Sequence, residues 1–445
     1  MAKIGISPDK VHESLPSMYW LPKLHKTPYK ARFIANSSSC STTFLSKLLT
    51  SGLQLIKNGI IKYSEKVSEN TGKNVFWSVK NSGEVLQRLS STNVRVDSIS
   101  SYDFSTLYTS LPHDLIKQKL ILLIQKSFNK STYMACNTEK AFFTEELQKK
   151  YIMLTCDDFC SALVFLLDNI FINFNNCIYR QKIGIPMGTN CAPLIADLFL
   201  FCYERDFMLH LSPDSQLDVI EAFNNTSRYL DDILNMNNDF FDRMVHEIYP
   251  KELTLTKSSL EPTHATFLDL DIHLFEGKCV TKIYDKRDDF DFDIINFPHL
   301  DGDIPKRPAY GVYTSQLIRY ARACSKVEDF NTRNLLLTNR LLRQRFRYHH
   351  LLKVFYKCFN KNKILFNKYN SSAKTLIKAG ITEPEFYGDF IYRIRKITGL
   401  RDFPTQFTGL LNKFIRKGYN KNILQRTALI ALSPLNMMEV RFCFN

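Results

Sequence analysis

The 445-residue chain is 44% hydrophobic with a net charge of +15, which excludes a disordered polypeptide and allows two or three subdomains around real cores. Its N-terminal residues lack the apolar stretch of a signal peptide, and its longest apolar run, Cys160 to Ile172, is interrupted by Asp168, so neither secretion nor a membrane span is expected. Eleven scattered cysteines, of which only Cys156 and Cys160 lie close together and without neighbouring histidines, are read as buried reduced thiols of an intracellular protein.

In chain order, residues 96–104 are predicted as a strand and 115–126 as the helix after it. Residues 178–193 form a Gly/Pro loop whose glycines let backbone approach a base pair closely, and residues 194–208 an apolar helix. A short hairpin follows over residues 227–236, with Asp231 and Asp232 near its tip. Residues 267–274 alternate in period two as one strand, with Leu268, Leu270, Ile272 and Leu274 on one face and Asp269 and Asp271 solvated on the other. Glu276 and Gly277 turn it back into residues 278–284. The acidic run Asp288, Asp289, Asp291 and Asp293 lacks the glycine and terminal glutamate of a calcium loop.

Beyond Tyr310 the pattern becomes helical and basic, with 25 Lys plus Arg against 7 Asp plus Glu, while the first 309 residues have a balance of −3. This last third is a candidate polyanion-binding surface. Tyr348, Leu351, Leu352, Phe355 and Phe359 fall on one helical face, and Arg340, Arg343 and Arg347 repeat at three and four on another.

Two segments carry chemistry. Asp103 closes a strand in Ser-Tyr-Asp-Phe, and Asp231 and Asp232 lie in Tyr-Leu-Asp-Asp, 128 residues later (231 − 103). Joining a nucleotide to a primer develops negative charge on the attacking, leaving and phosphoryl oxygens, which two Mg2+ ions, or Mn2+ in their place, neutralise. Magnesium requires oxygen ligands and usually takes only one or two carboxylates from the protein, a set that Asp103, Asp231 and Asp232 offer. Each motif alone is weak, and most acidic pairs are solvated turn residues. Between them lies Pro186-Met187-Gly188-Thr189-Asn190-Cys191-Ala192-Pro193, and the order of aspartate strand, Pro-x-Gly loop and Tyr-x-Asp-Asp resembles the reverse-transcriptase palm.

Further motifs sharpen the resemblance. Leu21-Pro22-Lys23-Leu24-His25-Lys26 followed by Arg32-Phe33-Ile34, then Asp103-Phe104-Ser105-Thr106-Leu107-Tyr108, Gly184-Ile185-Pro186-Met187-Gly188 and Phe267-Leu268-Asp269-Leu270, are similar to Penelope-like element reverse transcriptases, a branch related to telomerase. The resemblance spans residues 18–359. It implies an α+β right-hand polymerase with fingers at 1–95, a palm with an inserted fingers segment and primer grip at 96–300, a basic thumb-like helical module at 301–370 and a basic helical extension at 371–445. It further implies an RNA template, a DNA primer or target, deoxynucleoside triphosphates and a nuclear location.

The same resemblance assigns Lys23, Lys26 and Arg32 to the incoming triphosphate, Lys257 to protonation of the leaving pyrophosphate, and Tyr108, Met187 and Gly188 to the nucleotide pocket, with Tyr108 as the ring that rejects a 2′-hydroxyl. Met187 stands where many reverse transcriptases carry Gln. Neither Gly-Ile-Tyr nor Tyr-Ile-Gly occurs in the chain, so a separate endonuclease is expected to supply 3′ ends, and a fragment of a longer protein is one expectation. Three rivals stand beside this reading: a catalytically inactive or domesticated relative that only binds nucleic acid, a helix-turn-helix in place of the thumb, and an RNA-templated RNA polymerase, which usually carries a small polar residue at the position of Tyr108.

Overall fold

The computed structural model describes residues 14–23, 30–91, 95–129, 131–290, 294–381 and 403–416. Two compact units divide the chain: residues 1–294 with 323–325, and residues 295–322 with 326–445.

The first unit begins with a hairpin, β1 (Ser17–Lys23) and β2 (Lys30–Asn36), followed by α1 (Thr43–Thr71) and α2 (Ser82–Ser91). Leu45, Leu48, Leu49, Leu53, Ile56 and Ile60 recur at helical spacing to bury one face of α1, and Gly72, left-handed at φ 68°, ends it. Next come β3 (Ile99–Phe104), the one-turn α3 (Leu107–Ser110), α4 (His113–Phe128), β4 (Tyr133–Cys136), β5 (Ala141–Thr144), β6 (Ile152–Leu154) and α5 (Cys156–Asp168). A capping box starts α5: Asp158 N–H donates to Thr155 Oγ1 at 3.2 Å and Thr155 N–H to Asp158 Oδ2 at 3.0 Å.

The chain continues through β7 (Phe171–Phe174), β8 (Cys177–Arg180), α6 (Ala192–His210) with Pro193 in its first turn, and α7 (Pro213–Asn224). It then forms β9 (Thr226–Tyr229), β10 (Asp232–Met236), α8 (Phe241–Ile248), β11 (Leu255–Lys257), β12 (His264–Phe267), β13 (Leu270–Phe275) and β14 (Lys278–Ile283). Sheet orders are β2-β1-β7-β8, β11-β3-β10-β9, β12-β13-β14 and β5-β4-β6. Helices α1, α4, α5 and α6 share one apolar core with Tyr102 and Phe104 of β3 and Ile233 of β10. Burial of this face drives the assembly.

Several expected elements are redrawn. Residues 267–274 are not one strand: Leu268 is left-handed at φ 57°, and Phe267 pairs with Leu270 across a two-residue turn. Period-two alternation reads the same on either side of so tight a turn. The Glu276–Gly277 turn does lead into β14, with Phe275 paired to Lys278. The loop expected from residue 178 starts later, because Cys177–Arg180 pairs with β7.

The second unit is helical: α9 (Lys306–Ala323), α10 (Val327–Arg343), α11 (Tyr348–Lys361), α12 (Lys363–Phe366), α13 (Ala373–Gly380) and α14 (Phe403–Ile415). Leu351 and Phe355 are buried on α11 as the periodicity predicts, whereas Leu352 and Phe359 are only partly so. The arginine stripe is broken, since α10 ends at Arg343, Arg345 is left-handed at φ 66°, and Arg347 caps α11. Arg343 and Arg347 are exposed and Arg340 partly so, but no single helix face carries all three. Among the described residues no helix is long and apolar enough to cross a membrane. The described cysteines are free thiols, most of them buried, and burial pushes Cys160 up to about 12.

Candidate active site

Strand β10 runs between β3 and β9, and its register builds the site. Asp232 is directly opposite Asp103 on one side and Tyr229 on the other, and Thr256 of β11 is opposite Asp103. Directly opposed residues of antiparallel strands project to one face. Asp103, Asp232, Tyr229 and Thr256 therefore share a face. Asp231 sits with Leu230 in the two-residue turn, its carbonyl accepting from Phe104 N–H at 2.9 Å, which ties the hairpin tip to the end of β3. All three carboxylates are partly exposed. An all-oxygen donor set of this kind suits Mg2+.

Leu230 holds the turn in a left-handed conformation, φ 52°, at a cost of about 1–2 kcal/mol for a residue with a Cβ. A buried ion network beneath the hairpin opposes that strain. Arg228, fully buried on β9, sends Nε and Nη2 to the two Glu204 carboxylate oxygens, Nη1 to Asp197 Oδ1 at 2.8 Å, Nη2 to the Asp197 carbonyl at 3.2 Å and Nη1 to the Leu230 carbonyl at 3.3 Å. The five guanidinium donors are thereby matched to five acceptors. Lys57 of α1 reaches Asp197 Oδ2 at 2.6 Å, and Tyr249 donates to Glu204 at 2.9 Å. Burial by itself would raise the Asp197 pKa, but Arg228 and Lys57 hold it below the usual carboxylate range. For Glu204 burial prevails over Arg228 and Tyr249, and its pKa is raised. The main chain of Arg228 is clamped as well, by Trp77 and Val79, each through a 2.8 Å bond.

None of this network is among the residues that sequence reasoning singled out. A signal existed: Asp197 and Glu204 are seven residues apart (204 − 197), two turns apart on one face of a helix whose other residues from Ala192 to Tyr203 are apolar, and two carboxylates on such a face call for a buried cation.

Tyr108, in α3, packs partly buried against the core. Burial first, and then the neighbouring Asp231 carboxylate, push its phenol up to about 12. The ring thus packs on the core near Asp231. Lys257 is opposite Tyr102, not Asp103, and so projects to the other face, where its ammonium pairs with Asp242 at 2.8 Å. That hydrogen bond raises the Lys257 pKa.

The 184–188 loop is tied to neighbouring backbone. Ile185 N–H bonds the Tyr108 carbonyl at 2.7 Å, Gly184 N–H the Leu111 carbonyl at 2.8 Å, and Ala35 N–H the Met187 carbonyl at 2.8 Å. Its glycines approach protein backbone closely: at Gly188, φ +124°, a Cβ would lie 2.0 Å from the Ala35 carbonyl oxygen. Gly188→Ala is expected to destabilise the protein by about 2 kcal/mol or more. Gly59→Ala, with nothing within 4 Å of the added carbon, should be neutral or stabilising by up to about 1 kcal/mol. Urea unfolding of both variants checks the contrast.

On the β1–β2 hairpin, Lys23 is opposite Lys30 and Arg32 opposite Leu21, so Lys23, Lys30 and Arg32 share one face. Lys26, Asp291 and Asp293 lie outside the described residues.

No protein-family model and no curated protein matches the chain. Among solved structures, telomerase from Candida albicans in complex with the TWJ fragment of telomeric RNA matches with a TM-score of 0.53 at 12% identity, over 91% of this chain and 67% of that one. Apo telomerase from Candida tropicalis has a TM-score of 0.47 at 13% identity, over 99% and 70% of the two chains. The Sicinivirus 3Dpol RNA dependent RNA polymerase, with a TM-score of 0.35 at 13% identity, covers 62% and 53%. At such identities a likeness speaks to fold, and the first of the three shows that this chain has the reverse-transcriptase-like fold of telomerase.

Proposed function

We propose that the chain is a template-directed nucleic-acid polymerase of the reverse-transcriptase type, extending a primer 3′ end with deoxynucleotides. The observation that carries this reading is the register that sets Asp103 opposite Asp232, with Asp231 in the adjoining turn. Mg2+ ions held by these carboxylates, or Mn2+ in their place, supply charge neutralisation and a lowered pKa for the primer hydroxyl. The chain's own groups hold and shape the site. Lys23 and Arg32 offer cationic donors to the triphosphate, Tyr108 bounds the sugar side of the pocket, and Met187 and Gly188 link the pocket to β2. Lys257 has no part in this reading, because it projects from the opposite face.

The β12–β14 sheet is read as the primer grip, and Arg340, Arg343 and Arg347 as phosphate contacts of a thumb. The motif set favours the Penelope-like branch and a retroelement context, with RNA template, DNA primer and nuclear action. Primer extension on RNA and DNA templates in Mg2+ tests the proposal: deoxynucleotide incorporation on RNA is expected, and failure to extend on either template overturns it.

Tyr108→Val probes the sugar. A ring packed under the nucleotide rejects a 2′-hydroxyl by unfavourable contact, so the variant should shift the kcat/KM ratio toward ribonucleotides by about 10-fold or more. Equal loss of both activities together with lowered stability would make the ring a core residue only.

A further inference from the structure

The β12–β14 sheet carries a second cluster of metal-ligating side chains. His264 on β12 is directly opposite His273 on β13, and Asp271 lies two residues before His273, on the same face. The imidazoles stack with centroids 4.4 Å apart and planes 17° from parallel. Nε2 of His264 and Nε2 of His273 lie 2.6 Å and 3.0 Å from one oxygen of Asp271, Oδ1, while Lys282 of β14 holds the other, Oδ2, at 3.4 Å. Asp271 was expected to be a solvated strand residue; it is 16% exposed and enclosed by three partners. One ligand atom from each of His264, Asp271 and His273 lies within 4.8 Å of the others.

We propose that His264, Asp271 and His273 form a binding site for a divalent transition cation of the zinc type, separate from the carboxylates of the active site. Two imidazole nitrogens and one carboxylate oxygen suit zinc, cobalt or nickel, whereas magnesium takes oxygen. Metal–ligand bonds of about 2.0–2.1 Å place the ligand atoms of a tetrahedral site roughly 3.3 Å apart. Opening the present 2.6 Å and 3.0 Å separations to that spacing requires the two stacked rings to rotate about their side-chain torsions, so that both Nε2 lone pairs converge on one point beside Asp271. Backbone pairing already fixes the three Cβ positions, so the preorganisation comes from the sheet. Lys282 remains on Oδ2 and orients the carboxylate for one-oxygen ligation, as outer-shell partners do. The two imidazole side chains are 42% and 44% exposed, while Nε2 of His273 is itself buried. The cation would staple β12 to β13. Ligation requires neutral imidazoles, so affinity should rise with pH.

Titration of the purified full chain with ZnCl2 in excess Mg2+, followed by calorimetry, and Co2+ substitution followed by visible absorption, test the site. One equivalent should bind, give the intense bands of tetrahedral Co2+ and raise Tm. His264→Ala or His273→Ala should weaken binding at least about 10-fold, whereas Cys177→Ser, at the exposed cysteine, should not. If an alanine variant fails to fold, His264→Gln and His273→Gln replace it. Absence of stoichiometric binding, or binding unchanged in the folded histidine variants, overturns the proposal.

Discussion

Asn in place of Asp103, Asp231 or Asp232 is expected to lower primer extension by at least about 10²-fold, the scale on which removal of one preorganised electrostatic contact acts, without lowering Tm. Amides are poor magnesium ligands. Asp103 and Asp232 are directly opposed on adjacent strands, and like charges so placed destabilise a sheet, so neutralising one should leave stability unchanged or slightly raised. Activity and stability therefore move apart, which a purely structural carboxylate would not produce. Single-turnover extension alongside thermal unfolding reads both. Near-wild-type extension by the Asp103 or Asp232 variant would remove the metal assignment.

Arg228→Met is expected to cost about 3–5 kcal/mol of stability, the usual result of breaking a buried pair by deleting one partner. The residue is fully buried, and its loss leaves Glu204, itself fully buried, without its cation. Adding Glu204→Gln should recover much of the loss, because Asp197 keeps Lys57 at 2.6 Å. Extension should stay low in the double variant, since the Leu230 carbonyl, in the strained turn beside Asp231, no longer has its 3.3 Å donor. Arg228→Lys cannot reproduce the fork and should resemble the Met variant. Urea midpoints with unchanged m-values measure the stability part. A stable Arg228→Met protein, or full activity in the double variant, would show that the network does not position the turn.

Much of the candidate site was legible in the primary structure because its features are local. A strand closing around Asp103, a hairpin with Asp231 and Asp232 near its tip, the apolar helix α6 and the apolar face of α11 depend on neighbours a few residues away, and the period of two or 3.6 reports them directly. The order of these segments was enough to anticipate a reverse-transcriptase-like fold. Sequence alone left open which face each residue occupies, because a face depends on register between strands far apart in the chain, and a shift of one residue inverts it. The resemblance gave Lys257 a role beside the pyrophosphate, and only strand register shows that it is opposite Tyr102 rather than Asp103. The turn at Leu268 was invisible to alternation, and with it the pairing that sets His264 beside His273. Arg228 stood two residues before the motif, but only packing of β9 against α6 brings it to Asp197 and Glu204. Long-range pairing decided these cases, since burial of a charge becomes affordable only where partners from distant segments converge.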